Sequence, residues 1–420
     1  MTSRERVIAA INHREPDYVP MDLGGCGQTG ISASTLYRLR KAYGLEEHPI
    51  EICEPYQMLG TVEFDLLKKT GADLVPLWNR GNLMGLSNRY TKPWTMPDGT
   101  PVLMSDNFEY DTGAKGDIFV YPCGDRTAPY SLHMPAGGCF FDNLSRAPEV
   151  DEDNLTPVED FKDNYKRVVD EDCRYWERES KRLYEETDFA IMGVLGGMGL
   201  GDVAEIPGPF VKHPRGIRDI EGWLMAHLLY PDYVRAVFEY QTETALENLE
   251  CYREAVGDRI QVIWLSGTDF GTQCGLMQSK ETFVEMYKPF YKKVNDWIHN
   301  NTGWKIFYHS CGAVEPLIGE FIDMGMDILN PVQCSAAGMD PVHLKKTYGD
   351  KIVFWGGGVD TQRTLPMGTP AEVKRQVAER LAVFSAGGGY VFSTIHNIVA
   401  KVPPGNIVAM YEALREFRGI

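Results

Sequence analysis

Short apolar runs rich in β-branched and aromatic residues recur along this chain, each followed by a turn signal and then by sequence with helical period. Eight stand out: 18–23 (YVPMDL), 73–77 (DLVPL), 189–194 (FAIMGV), 261–265 (QVIWL), Lys305–His309 (KIFYH), 327–330 (DILN), 352–356 (IVFWG) and 389–393 (GYVFS). Compact apolar runs bounded by turns are the pattern of strands buried on both faces. The stretches between them, such as 280–299 and 369–384, are amphipathic, and Thr369-Pro370 opens the latter as N-cap and first-turn proline. Eight strands alternating with helices predict a closed parallel (β/α)8 barrel of the TIM type, one domain spanning residues 1–420.

One interval breaks this rhythm. Residues 80–144 hold the turn pairs PDG and PAGG between short segments such as 101–104 and 118–121, the pattern of a β-rich insertion after the second strand. Barrel active sites are built from the loops that follow the strands, so an insertion there is a candidate lid or subunit contact, and a homodimer is an open option.

Composition narrows the partners. With 42 basic against 59 acidic residues the formal net charge is −17, and no basic run interrupts the acidic balance; nucleic acid is a poor partner for such a surface. No apolar stretch reaches the length of a membrane span, and residues 1–16 have the pattern of a charged amphipathic helix rather than a signal peptide. A cytoplasmic protein is expected. The nine cysteines form neither a CxxC pair nor a closely spaced framework, so most are expected to be small buried hydrophobes.

The chemistry of a barrel lies at the C-terminal ends of its strands, and polar residues gather there. Asp22 ends the first run, Asp269 and Gln273 follow the fourth, His309 and Cys311 the fifth, Asn330 and Gln333 the sixth, Asp360 and Gln362 the seventh, and His396 the eighth. Residues two apart at the end of a strand project to the same side, so His309 and Cys311 can present an imidazole and a thiolate to one ion. Zinc accepts such ligands tetrahedrally, and catalytic zinc sites use three protein ligands. Of the other histidines, only His396 also stands just past a strand end. His133 in the insertion, Asp269, Glu315 and Cys334 remain open as alternatives.

The opening RVIAAINHREPDYVP and, from Gly267 onward, TDFGTQ, YHSCGAVEPLI, DILNPVQ, FWGGGVDTQ, GTPAEV, GGGYVF, HNI and PPGNI resemble the uroporphyrinogen decarboxylase (URO-D) superfamily. Within it the chain is similar to the zinc-dependent, corrinoid-linked methyltransferases of the methylcobalamin:coenzyme M kind. That resemblance implies a zinc ion held by an H-x-C pair, matched by His309 and Cys311, and by a later cysteine whose position, counted back from PPGNI, falls on His396.

The resemblance also implies methyl transfer between a small methylated substrate and a corrinoid. The chain has no D-x-H-x-x-G cobalamin signature, so a separate corrinoid protein is the expected partner. Exchanging a thiolate for neutral His396 raises the formal charge of the site to +1, which favours an O-methyl substrate over a thiol. Asp269, Gln273, Asn330, Gln333, Asp360 and Gln362 are expected to orient substrate or support the metal ligands. The superfamily's decarboxylases carry an arginine motif just after the first strand, whereas MDLGGCGQTG holds no basic residue. A porphyrinogen decarboxylase is therefore the disfavoured alternative, beside a zinc protein of the same fold with another role.

Overall fold

The computed structural model describes residues 1–147, 149–151 and 154–420. Seven of the eight apolar runs form one sheet, with strands Leu74–Leu77, Ala190–Val194, Val262–Ser266, Lys305–His309, Ile328–Asn330, Val353–Trp355 and Tyr390–Val391 hydrogen-bonded in that order. Every pairing within it is parallel. Helices cover the outside, among them Pro370–Phe384, where Thr369 caps the Glu372 N–H and the Glu372 side chain returns to the Thr369 backbone.

The first run departs from the expectation of a full strand. Residues 18–23 pair through a single bridge, Met21 with Phe392. Pro20 has no N–H to donate, and Gly24 turns the chain away at φ 85°. The segment still closes the cylinder. Asp22 N–H donates to Phe392 O at 2.9 Å on one edge, and Asp73 N–H donates to Met21 O at 2.8 Å on the other.

Alternation along the strands divides the core. Phe307, Ile328, Val353, Trp355, Val391, Met192 and Val262 point into the barrel with Val7, Ala10 and Ile11 of the opening helix Ser3–Ile11. Ile306, Tyr308, Leu329 and Phe354 point out to the helices. Below the barrel, Asp73 receives Arg6 Nη1 at 2.6 Å, Arg418 Nη2 at 3.0 Å and the Met21 N–H at 2.9 Å, and it is 2% exposed.

The interval after the second strand is β-rich, as its turn pattern predicts, and it recruits a segment that the pattern did not show. Strand Pro101–Ser105 pairs with Tyr90–Thr95 and also, in parallel, with Ile50–Glu54 from before the second strand. A second sheet joins Tyr110–Thr112, Ile118–Val120, Leu132–Met134 and Asp142–Asn143 in antiparallel order. These sheets rest on the loop after the third strand: Asn143 Nδ2 donates to Ala204 O at 3.1 Å, Lys212 pairs with Asp125 at 2.6 Å and Cys123 Sγ donates to Phe210 O at 3.2 Å.

Candidate metal centre

Phe307 faces the barrel interior, so His309, two residues on, stands above it at the mouth, and Cys311 follows on the same side. The eighth strand brings His396 to the same point. One ligand atom from each of His309, Cys311 and His396 lies within 4.8 Å of the others. Cys311 Sγ and His309 Nε2 are 3.2 Å apart, and the two imidazoles meet edge to face at 5.2 Å between centroids.

The orientation of His309 is fixed by its neighbours. Asn330 Nδ2 donates to Trp355 O at 2.9 Å, which turns its Oδ1 toward His309 Nδ1, 2.6 Å away. Nδ1 therefore carries the hydrogen, and Nε2 presents its lone pair to the point shared with Cys311 and His396. Trp355 in turn donates its indole N–H to Asp22 Oδ2 at 2.9 Å, so a buried chain of contacts leads from the first segment to the fifth strand.

Burial depresses both imidazoles to about 4, with the neighbouring ring adding to the effect at His396, so both stand neutral, the form that binds a metal. Burial also drives the Cys311 thiol well above its ordinary value, with Asp269 adding to the rise. A cation at the centre reverses that, because a coordinated thiol gives up its proton. Two neutral nitrogens and one sulfur, converging with the Asn330 amide already holding the His309 ring, fit a zinc ion.

The remaining predicted residues divide. Asp269 Oδ1 accepts the Cys311 N–H at 2.6 Å and lies 3.7 Å from His309 Nε2, at the centre itself. Asn330 supports His309, and Gln333 Oε1 holds the Gly312 N–H at 2.7 Å, fixing the turn after Cys311. Gln273 and Gln362 are exposed. Asp360 accepts the backbone N–H groups of Gln362 and Arg363, a local turn contact. The alternatives for the third ligand are engaged elsewhere: His133 with Asp117, Glu315 with His343 and Tyr348, and Cys334 with Val332 O.

The sequence pattern did not single out two further groups at the mouth, Asp202 and Glu205 in the loop after the third strand. With Asp22, Glu54 and Asp269 they make five carboxyls raised above their ordinary range by burial, and among the described residues no lysine or arginine offsets any of them. The apolar cavity of about 370 Å³ lined by Leu23, Cys26, Val75, Leu77, Trp78 and Leu183 lies elsewhere, in the gap between the first segment and the second strand.

Residues 213–417 match the sequence model of the family described as uroporphyrinogen decarboxylase (URO-D). Two curated relatives, uroporphyrinogen decarboxylases of Pseudoalteromonas translucida (strain TAC 125) and Psychromonas ingrahamii (strain DSM 17664 / CCUG 51855 / 37), are each 32% identical, over 88 and 87 residues. Those alignments cover 20% of this chain and 24% of each relative. Among solved structures, a methyltransferase from Methanosarcina mazei superposes over 99% of both chains with a TM-score of 0.57 at 16% identity, a likeness of fold. Among the described residues no helix is long and apolar enough to cross a membrane.

Proposed function

We propose, from the match of residues 213–417 to the uroporphyrinogen decarboxylase (URO-D) family and from the geometry of the site, that the chain is a zinc-dependent methyltransferase acting between a small O-methyl compound and a corrinoid on a separate protein. The convergence of His309, Cys311 and His396 on one point carries this reading. A zinc ion held there would act as a Lewis acid toward a substrate oxygen. Asn330 holds the His309 ring in its coordinating orientation, and Gln333 holds the Gly312 turn. Asp269, beside Cys311 and His309, is placed to orient the substrate or to accept a proton.

The five carboxyls at the mouth, buried or half-buried, weigh in the same direction. A porphyrinogen brings several carboxylates, and each needs a cationic partner when it leaves water. The mouth offers acids in their place. Decarboxylation remains the second reading, because both curated relatives bear that name.

Purified protein, loaded with zinc, should pass a methyl group from an O-methyl compound to reduced cobalamin, while the departing oxygen takes up a proton, and chelation of zinc should stop the reaction. Carbon dioxide released from uroporphyrinogen at a rate untouched by chelation would establish the decarboxylase instead.

The support given to His309 yields a separate prediction. Asn330→Ala should weaken zinc binding about 10–100-fold, as loss of a second-shell partner does, in competition with a chelating dye. An unchanged affinity would show that packing alone orients the ring.

A further inference from the structure

Asp202 and Glu205 stand in the third strand's loop at the mouth, and neither pairs with a cation among the described residues. Asp202 is 9% exposed; its Oδ1 accepts the Ala204 N–H at 2.8 Å and its Oδ2 has no partner among the described residues. The Glu205 carboxyl receives no hydrogen bond among them, and it lies against Gly199, 2.9 Å from where a side chain there would begin. Both carboxyls are raised by burial, Asp202 further by the charge of Asp269 and Glu205 further by that of Asp202. A buried carboxylate without a counter-charge is costly, and a chain that places two side by side retains them only where something cationic enters or a proton is held.

A second group at the same spot is also left without its partner. Gly267, after the fourth strand, has no side chain, and one placed there would begin 3.2 Å from Gln28 Nε2, 3.4 Å from Asp202 Oδ2 and 3.4 Å from Trp264 Cζ2. The Trp264 indole N–H, buried in this wall, finds no acceptor among the described residues. The wall beside Asp269 thus holds an acid whose Oδ2 lacks a donor, next to a sealed indole N–H that does not reach it. Tyr56 and Tyr165 lie close enough to feel the charge of Asp202, which sets aromatic surface beside the acids.

We propose that Asp202 and Glu205 bind a cationic group on the substrate, so that the methyl donor is an ammonium-bearing methyl ether, an O-methylated amino alcohol. The substrate class rests on the methyl-transfer reading above; the cation site does not need it. The ammonium supplies the counter-charge that the acids lack. Neutral ethers of the same length do not.

Calorimetric titration of the purified protein with 2-methoxyethylamine and with 2-methoxyethanol tests this without any turnover. The amine is expected to bind at least about tenfold more tightly, about 1.4 kcal/mol, with little loss of preference as salt rises, because buried charges are poorly screened. Asp202→Asn and Glu205→Gln should each remove most of that preference and leave the neutral ether's affinity unchanged. Both exchanges relieve buried like charges, so circular dichroism and melting should show a fold at least as stable as the parent's. Equal affinity for the two probes, no binding of either, or a preference that survives both substitutions would overturn the proposal. A protein that prefers the amine yet takes up no zinc overturns only the metal centre, and one that takes up zinc without the preference overturns only the cation site.

Discussion

Cys311→Ala is expected to abolish metal binding and methyl transfer together, the largest functional effect that the structure supports. Cys311 supplies the one anionic donor among the three converging ligands; His309 and His396, held neutral by burial, supply the other two. Two imidazoles without the thiolate leave the ion's charge unbalanced in a largely buried site. The loss should therefore exceed the roughly 10–100-fold that removal of a supporting residue costs. Protein purified without added metal should carry about one equivalent of zinc, and the variant almost none, by elemental analysis. Gln362→Ala is the companion, because that side chain is exposed and should leave the metal in place. Full zinc content in Cys311→Ala, or its loss in Gln362→Ala, would tell against the centre.

The largest expected effect on stability lies at the opposite end of the barrel. Asp73 holds two guanidiniums, Arg6 at 2.6 Å and Arg418 at 3.0 Å, and all three side chains are nearly or fully removed from solvent. It thereby ties the opening helix Ser3–Ile11 and the closing helix Pro404–Arg418 to the second strand. Asp73→Ala leaves two buried cations facing each other, although Arg6 keeps Asp17 at 2.7 Å and Arg418 keeps Val19 O at 2.8 Å. Breaking a buried ion pair from one side costs about 3–5 kcal/mol, a large share of the roughly 5–15 kcal/mol that holds a domain folded. The urea midpoint should fall accordingly at unchanged slope. A cost below about 1 kcal/mol, the range of exposed pairs, would show that water reaches the site.

Much of this architecture was legible in the chain because parallel strands buried on both faces leave an apolar run that composition alone exposes. The runs at 73–77, 189–194, 261–265, Lys305–His309, 327–330, 352–356 and 389–393 all hold strands of the one sheet. The first run has the same composition yet pairs at only one residue, since a missing N–H at Pro20 and the turn at Gly24 decide its pairing. Ile50–Glu54 was missed because its local partner, Leu59–Gly60, is only two residues long and its longer partner, Pro101–Ser105, lies about fifty residues on, where no local pattern announces the pairing.

The centre divides in the same way. His309 and Cys311 follow from strand alternation, and Asp269, Asn330, Gln333 and His396 from strand ends. Gln273, Asp360 and Gln362 also stand past strand ends, but the loops carry them out of the barrel axis. Asp202 and Glu205 carried no signal, because an acid in a loop is ordinarily solvated. Their burial comes from elements distant in sequence, including Asn143, which binds Ala204 between them.

The seam at Met21 has a further consequence, for the evolution of such a molecule. A cylinder that closes through one bridged residue is close to a split ring, and its joint lies beside the second strand. Both added pieces, the 50–60 hairpin and the β-rich interval after Leu77, leave the chain on either side of that strand. The extra material sits beside the joint, where it interrupts no ladder of the main sheet, while the remaining six strands run from one to the next through helices. A barrel arranged like this tolerates exchange of the pieces beside its joint while the residues gathered at strands five and eight stay in register.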